Sequence, residues 1–116
     1  KELSILSPII MKRASPCFSG REFALIASLH WRRKQVELAS DYFRRAFRLL
    51  ESADCQEQEA RTHLACAGFM MEQGYFNQAK EALLRGKSIF IELNNQLGLK
   101  AVERAMLNIQ NDPGAR

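Results

Sequence analysis

The stretch Leu64–Lys87, LACAGFMMEQGYFNQAKEALLRGK, decides how the whole chain is read. Its small and apolar residues, Cys66, Ala67 and Met70 and then Phe76, Ala79, Leu83 and Gly86, recur at intervals of three and four. That is the period of a helix burying one face. Between the two runs stands Gly74, a residue that takes positive φ without steric penalty and so ends one helix before the next begins. The stretch therefore predicts a hairpin of two antiparallel helices.

Forty residues earlier the same order returns. Ala27 falls on Ala67 and Ala39 on Ala79, while Ile26 matches Cys66, His30 matches Met70, Val36 matches Phe76 and Phe43 matches Leu83. The match runs on through Ala46 with Gly86, Leu49 with Ile89 and Leu50 with Phe90. An internal repeat of this length outweighs any local signal, because it sets the architecture. Lys34 and Gln35 occupy the turn of the first copy. Where helices cross closely only small residues let the backbones approach, so Ala27, Ala39, Ala67 and Ala79 are the expected crossing points.

Outward from the two copies the pattern thins. Residues 1–13 read as a short helix interrupted by Pro8, with a turn through Ser15, Pro16 and Ser19-Gly20 after it. At the other end Asn94-Asn95 and Gly98 punctuate the chain, and Leu99 to Ile109 predict one more helix before Asn111-Asp112-Pro113-Gly114 stops it. The expected organisation is a short helix and turn over residues 1–19, the remnant of a preceding repeat, a first repeat over 20–59 and a second over 60–97. Residues 98–110 come next as a terminal helix or the first helix of a third repeat, and 111–116 as a tail. The fold class is all-α, with helical hairpins stacked as a short α-solenoid.

A length of 116 residues suits one domain. The composition, 47% hydrophobic and 26% charged, is that of a folded globular chain and excludes a largely disordered one. No proline lies between Cys17 and Asp112, which leaves a long run open to helix. No apolar run reaches the roughly 18 residues of a membrane span, the richest, Leu3 to Met11, being broken by Pro8. A membrane partner is not expected. Opening on Lys1 with no initiator Met, the sequence reads as part of something longer.

The net charge of +4 is uneven, with ten Lys/Arg against four Asp/Glu in residues 1–50 and seven against nine in 51–116. Arg32, Arg33 and Lys34 form one basic cluster and Arg44, Arg45 and Arg48 another. Such clusters can attract nucleic acid, an acidic peptide or an anionic surface, but are more often plain solvated helix. Cys17, Cys55 and Cys66 are odd in number and include no CxxC pair, so no disulfide framework is expected, and a reducing cytoplasm fits best. His63 and Cys66 lie three apart on one helical face, a chelating spacing. No second pair converges on them, and Cys66 aligns with Ile26, so a buried thiol in the core is the expected role. No phosphate-cradling Gly loop or nucleophile motif is present. The expectation is a chain that is not an enzyme and takes no cofactor or metal.

The hairpin LACAGFMMEQGYFNQAKEALLRGK resembles the tetratricopeptide repeat, with Ala67, Met70, Gly74, Phe76, Ala79 and Leu83 at the places that pattern keeps. The adjoining SIFIELNNQLGLKAVERAMLNI is similar to the join of the forty-residue subclass, found in bacterial signal-responsive transcription regulators and spindle-orientation adaptors. The resemblance covers residues 20–110. The first copy departs from it in lacking the turn glycine, and His63 stands where the family often has Trp. Gly86 replaces the usual Ala, and Glu103 with Gln110 makes the last helix polar, as in a cap.

The resemblance implies that the first helix of each hairpin lines a concave groove that receives an extended or helical peptide. Carried over by position, the groove residues are Arg21, Ala24, Leu25, Ser28, Trp31 and Arg32, then Arg61, Leu64, Ala65, Gly68, Met71 and Glu72. Trp31, Leu64 and Met71 would be apolar anchors, and Arg21, Arg32 and Arg61 would bind acidic side chains or carbonyls. Trp31 either anchors a partner or packs against a neighbouring repeat. The implied function is a protein-interaction module for an acidic, partly apolar peptide, the regulatory part of a larger protein. Nucleic-acid binding through the basic first half is one alternative, and self-association as a homodimer through exposed repeat faces is the other.

Overall fold

The structure, a computed structural model, describes residues 16–52 and 54–115. The short helix expected over residues 1–13 lies outside the described residues. Among the described residues five α-helices succeed one another: α1 (Pro16–Arg32), α2 (Val36–Ser52), α3 (Gln56–Glu72), α4 (Phe76–Glu92) and α5 (Gln96–Asn111), then a 3-10 turn, Pro113–Ala115. No strand occurs among the described residues. The fold is all-α and built of consecutive helical hairpins, as the periodicity predicts.

The forty-residue repeat contains a finer one of twenty, which the side-chain pattern does not display. Successive helices begin at Pro16, Val36, Gln56, Phe76 and Gln96, and each break between helices turns on one residue at positive φ. These are Lys34 (φ 63°), Asp54 (56°), Gly74 (83°) and Asn94 (55°). At three of them the full pair of helix-ending hydrogen bonds is present. Lys34 N–H donates to Trp31 C=O at 2.8 Å and Gln35 N–H to His30 C=O at 2.8 Å. Gly74 and Tyr75 repeat this on Met71 and Met70, and Asn94 and Asn95 on Ile91 and Phe90. The bonds satisfy carbonyls that a helix end otherwise leaves unpaired. The residue after the positive φ then starts the next helix, its own carbonyl accepting from four residues on, as in Ala39 N–H to Gln35 C=O at 3.0 Å.

The chain divides into two compact units, the first ending at Cys55 and the second beginning at Gln56. In the first, α1 packs along α2 around fully buried Ala27, Ala39 and Ala46, with Phe43 and Leu50 filling the space beside them. Gly20 belongs to this contact. A Cβ there would stand 2.6 Å from the Leu50 side chain, so only glycine lets the start of α1 lie on the end of α2. The turn expected through Pro16 and Ser19-Gly20 is therefore corrected: these residues are the opening turn of α1. Proline is well placed there, because the first helical N–H has no partner to lose.

A second correction concerns the cysteines. Cys17 and Cys55 are joined in a disulfide, with Cα atoms 5.4 Å apart and 38 residues of sequence separation. No local spacing signals this pair. The hairpin itself places the start of α1 beside the end of α2, and the expectation of a reducing compartment loses its premise. Cys66 is the free cysteine and is buried. Among the described residues no helix is long and apolar enough to cross a membrane.

In the second unit α3 and α4 form the hairpin, and α5 packs on both. The core joins Ala60 and Ala67 of α3, Ala79, Ala82, Leu83 and Phe90 of α4, and Val102 and Ile109 of α5. A hairpin covered by one further helix in this way is how an α-solenoid stacks. Forty residues after Ala60, His63, Ala67 and Met70 come Lys100, Glu103, Leu107 and Gln110, all exposed. The face of α5 that would receive another helix is thus polar apart from Leu107. The first turn of α5 is capped by Asn95, whose side-chain oxygen accepts from Gly98 N–H at 3.0 Å.

Candidate functional site

The predicted groove residues fall into two sets, one on a helix of each unit. On α1, Arg21, Leu25, Ser28 and Arg32 recur at intervals of four, three and four, which puts them on one stripe. The stripe lies on the side of α1 away from Gly20 and Ala27, the residues buried against α2. Arg21 and Arg32 are exposed, and Leu25 between them keeps 50% of its surface in solvent. Ser28 is half-buried and donates its hydroxyl to Ala24 C=O at 3.1 Å, so that proton is committed to its own helix. Ala24 and Trp31 are also half-buried.

Two further residues share this side of α1. Phe18 and Leu29 are 45% and 54% exposed, and with Leu25 they make an apolar strip at intervals of seven and four. The positions taken from the repeat pattern omit both. Their helical spacing was the available signal, since large apolar residues on the face opposite the small crossing residues have no core to enter.

On α3 the predicted residues behave differently. Leu64 and Met71 are half-buried and pack against the core cluster of the second unit, and Ala65 and Gly68 are half-buried as well. Arg61 is exposed and its guanidinium pairs with Glu57 at 2.8 Å; Glu72 is exposed. The two apolar side chains predicted as anchors here already contribute to the packing of their own unit. What α3 offers at this face is chiefly charge.

The basic clusters are interleaved with acid. Arg44 and Arg45 pair with Asp41 at 3.3 and 3.4 Å, and the Arg45 guanidinium sits 5.2 Å from the centre of the Tyr42 ring. Tyr42 stacks on His30 with centroids 5.3 Å apart, and His30 Nδ1 lies 2.7 Å from Gln35 Oε1. His30, half-buried, is thus built into the rim of the first hairpin. Arg32, Arg33, Lys34 and Arg48 are exposed. Exposed pairs are individually weak, yet the carboxylate of Asp41 lowers the positive field along α2.

His63 and Cys66 are both in the interior of the second unit. His63 is 5% exposed, with Nε2 3.5 Å from Glu59 Oε2. Burial, aided by the Arg85 charge, lowers its pKa to about 4, so the ring is neutral at pH 7. Burial pushes the Cys66 thiol up to about 11, which keeps it protonated and unreactive at neutral pH.

Comparison with known proteins returns no match, whether against protein-family models, curated proteins or solved structures.

Proposed function

We propose that the chain is a non-catalytic protein-interaction module of tetratricopeptide type that holds an acidic, partly apolar peptide or helix, as the regulatory part of a larger protein. The observation that carries this reading is Leu25, half-exposed and set between the exposed Arg21 and Arg32 on the side of α1 opposite its buried residues. An apolar centre flanked by guanidinium groups suits a ligand whose own apolar residues are flanked by carboxylates, since the apolar contact supplies affinity and the charges supply orientation. The twenty-residue spacing of helices and the packing of α5 on both members of the preceding hairpin support the solenoid part of the reading. The Asp41 pairs on α2 make nucleic acid the weaker alternative.

Trp31 is the one tryptophan of the chain and lies on the same helix, one turn past buried Ala27, so its fluorescence reports a change at α1 without its own side chain being on the Leu25 stripe. Three probes would be titrated: a designed Leu/Glu amphipathic peptide, its Leu/Lys counterpart and a single-stranded oligonucleotide. Saturable binding of the Leu/Glu peptide, at least tenfold weakened in an Arg21→Ala, Leu25→Ala variant, is expected. Binding of the oligonucleotide alone, with a steep salt dependence, would transfer the function to the basic clusters. Equal binding of both peptides would remove the charge argument altogether.

A further inference from the structure

The cross-link between Cys17 and Cys55 ties the opening turn of α1 to the residue that precedes α3, just beyond the end of α2. The residues α1 buries are Ser19, Gly20 and Ala27, all small, whereas α3 buries Ala60, Thr62, His63, Cys66, Ala67 and Phe69. Stabilisation by burial scales with the apolar area removed from water, so the fully buried residues of α1 contribute little of it, and the ring contacts of Phe23 and His30 with Tyr42 of α2 lie beyond its opening turn. Among the ties of that turn to α2 are the close approach of Gly20 to Leu50 and the disulfide. Forty residues on, Glu57 and Asn95 occupy the positions of Cys17 and Cys55, so the second hairpin closes without a covalent bond. The cross-link is an addition to the hairpin and not a requirement of its geometry.

The two sulfurs also differ in access. Cys17, the second residue of α1, is half-buried, while Cys55 is 3% exposed. Thiol–disulfide exchange requires a thiolate to reach one sulfur of the bond, and Cys17 is the reachable one.

We propose that Cys17 and Cys55 form a reversible redox clamp on α1, which holds its opening turn to the end of α2 when oxidised and releases it when reduced by a small thiol such as glutathione. In the reducing direction a glutathione thiolate attacks Sγ of Cys17, and Cys55 departs as thiolate and takes a proton. A second glutathione thiolate attacks the glutathione sulfur of the mixed disulfide, and Cys17 departs and takes the second proton. The protein gains two electrons and two protons, and two glutathione molecules become glutathione disulfide. Closure is the reverse, with glutathione disulfide as oxidant. Cys66, buried in α3, stays outside the exchange.

Hydrogen exchange measured by mass spectrometry on the whole chain tests this, first after treatment with glutathione disulfide and then after reduction. Peptides spanning residues 16–23 should exchange at least tenfold faster once reduced, those from α4 should be unchanged, and renewed oxidation should restore protection. A Cys17→Ser variant should show the faster rate under both conditions, and Cys66→Ser should behave as the parent. Equal exchange of α1 in both states would overturn the proposal. So would three alkylatable cysteines after denaturation of the oxidised sample, which would mean that no bond forms. Loss of structure on reduction that glutathione disulfide does not reverse would show a permanent bond instead of a clamp.

Discussion

Gly86 of α4 lies directly against Ala60 of α3: a Cβ on Gly86 would stand 3.3 Å from the Ala60 carbonyl oxygen and 3.6 Å from the His63 Cβ. Glycine inside a helix costs about 0.5–1 kcal/mol relative to alanine, so its presence here is explained by the closeness of the two backbones. A leucine at this position has no space to enter. Gly86→Leu should lower the stability of the chain by about 1–3 kcal/mol, the usual range for overpacking, with the midpoint of urea unfolding as the measurement. The parallel substitution Ala79→Leu, at a fully buried crossing residue, should fall in the same range. An unchanged midpoint in both would mean that α3 and α4 are not in close contact.

The four helix breaks give a second prediction, of opposite sign at different positions. Lys34, Asp54 and Asn94 adopt the left-handed conformation with side chains that disfavour it, while Gly74 adopts it freely. Left-handed backbone costs an ordinary L-residue roughly 1–2 kcal/mol, and Asn and Asp less because their side chains bond locally. Lys34→Gly should therefore stabilise the chain by about 0.5–1 kcal/mol, and Gly74→Ala should destabilise it by about 1–2 kcal/mol. Chemical denaturation of the two variants against the parent decides the matter. Destabilisation by Lys34→Gly would show that Lys34 contributes through its side chain.

These turns also mark the boundary of what could be read in advance. The forty-residue match placed Ala27, Ala39, Ala67 and Ala79 at the crossings, and all four are fully buried. Periodicity reports burial, and burial is what a repeat preserves. Backbone sign is not carried by periodicity: nothing about Lys34 as a residue announces a positive φ, which is imposed by Gln35 N–H returning to His30 C=O. The disulfide was hidden for a related reason, since Cys17 and Cys55 become neighbours only through the antiparallel course of α1 and α2. Pro16 read as a turn because proline usually breaks helices, whereas it begins one here.

The candidate face was legible in part. Position in the repeat placed Arg21, Leu25 and Arg32 on one side of α1, where the structure has them exposed. It did not foresee that Leu64 and Met71 pack into the core of their own unit. The difference lies in the extent of the core, which in the second unit takes in Val102 and Ile109 of α5. Whether an apolar side chain at a given helical angle is an anchor or a core residue depends on what covers that angle, and one helix's own sequence does not contain it.

His63 supplies a pH-dependent prediction whose direction is set by burial. The ring is lowered to about 4 in the folded chain, chiefly by burial and secondarily by the Arg85 charge, against 6.5 for an unhindered histidine. The folded state therefore binds the proton more weakly than the unfolded state. Well above pH 6.5 both states are neutral at this site and the folded chain keeps its full stability. As the pH falls from 6.5 towards 4 the unfolded state takes up a proton that the folded state refuses, and stability declines by up to about 1.4 kcal/mol per pH unit. The Glu59 carboxylate 3.5 Å from Nε2 offsets part of the loss, since it favours the protonated ring. The net decline should be about 2–3 kcal/mol across the interval, superimposed on whatever the exposed carboxylates contribute. Urea unfolding at pH 7.5, 5.5 and 4.5 measures it, with His63→Gln as the comparison because glutamine fills a similar volume without titrating. The variant should be less stable than the parent at pH 7.5 and lose less on acidification, so that the two curves converge. Parallel curves would show that the proton goes elsewhere and that His63 titrates in the folded chain as it does in the unfolded one.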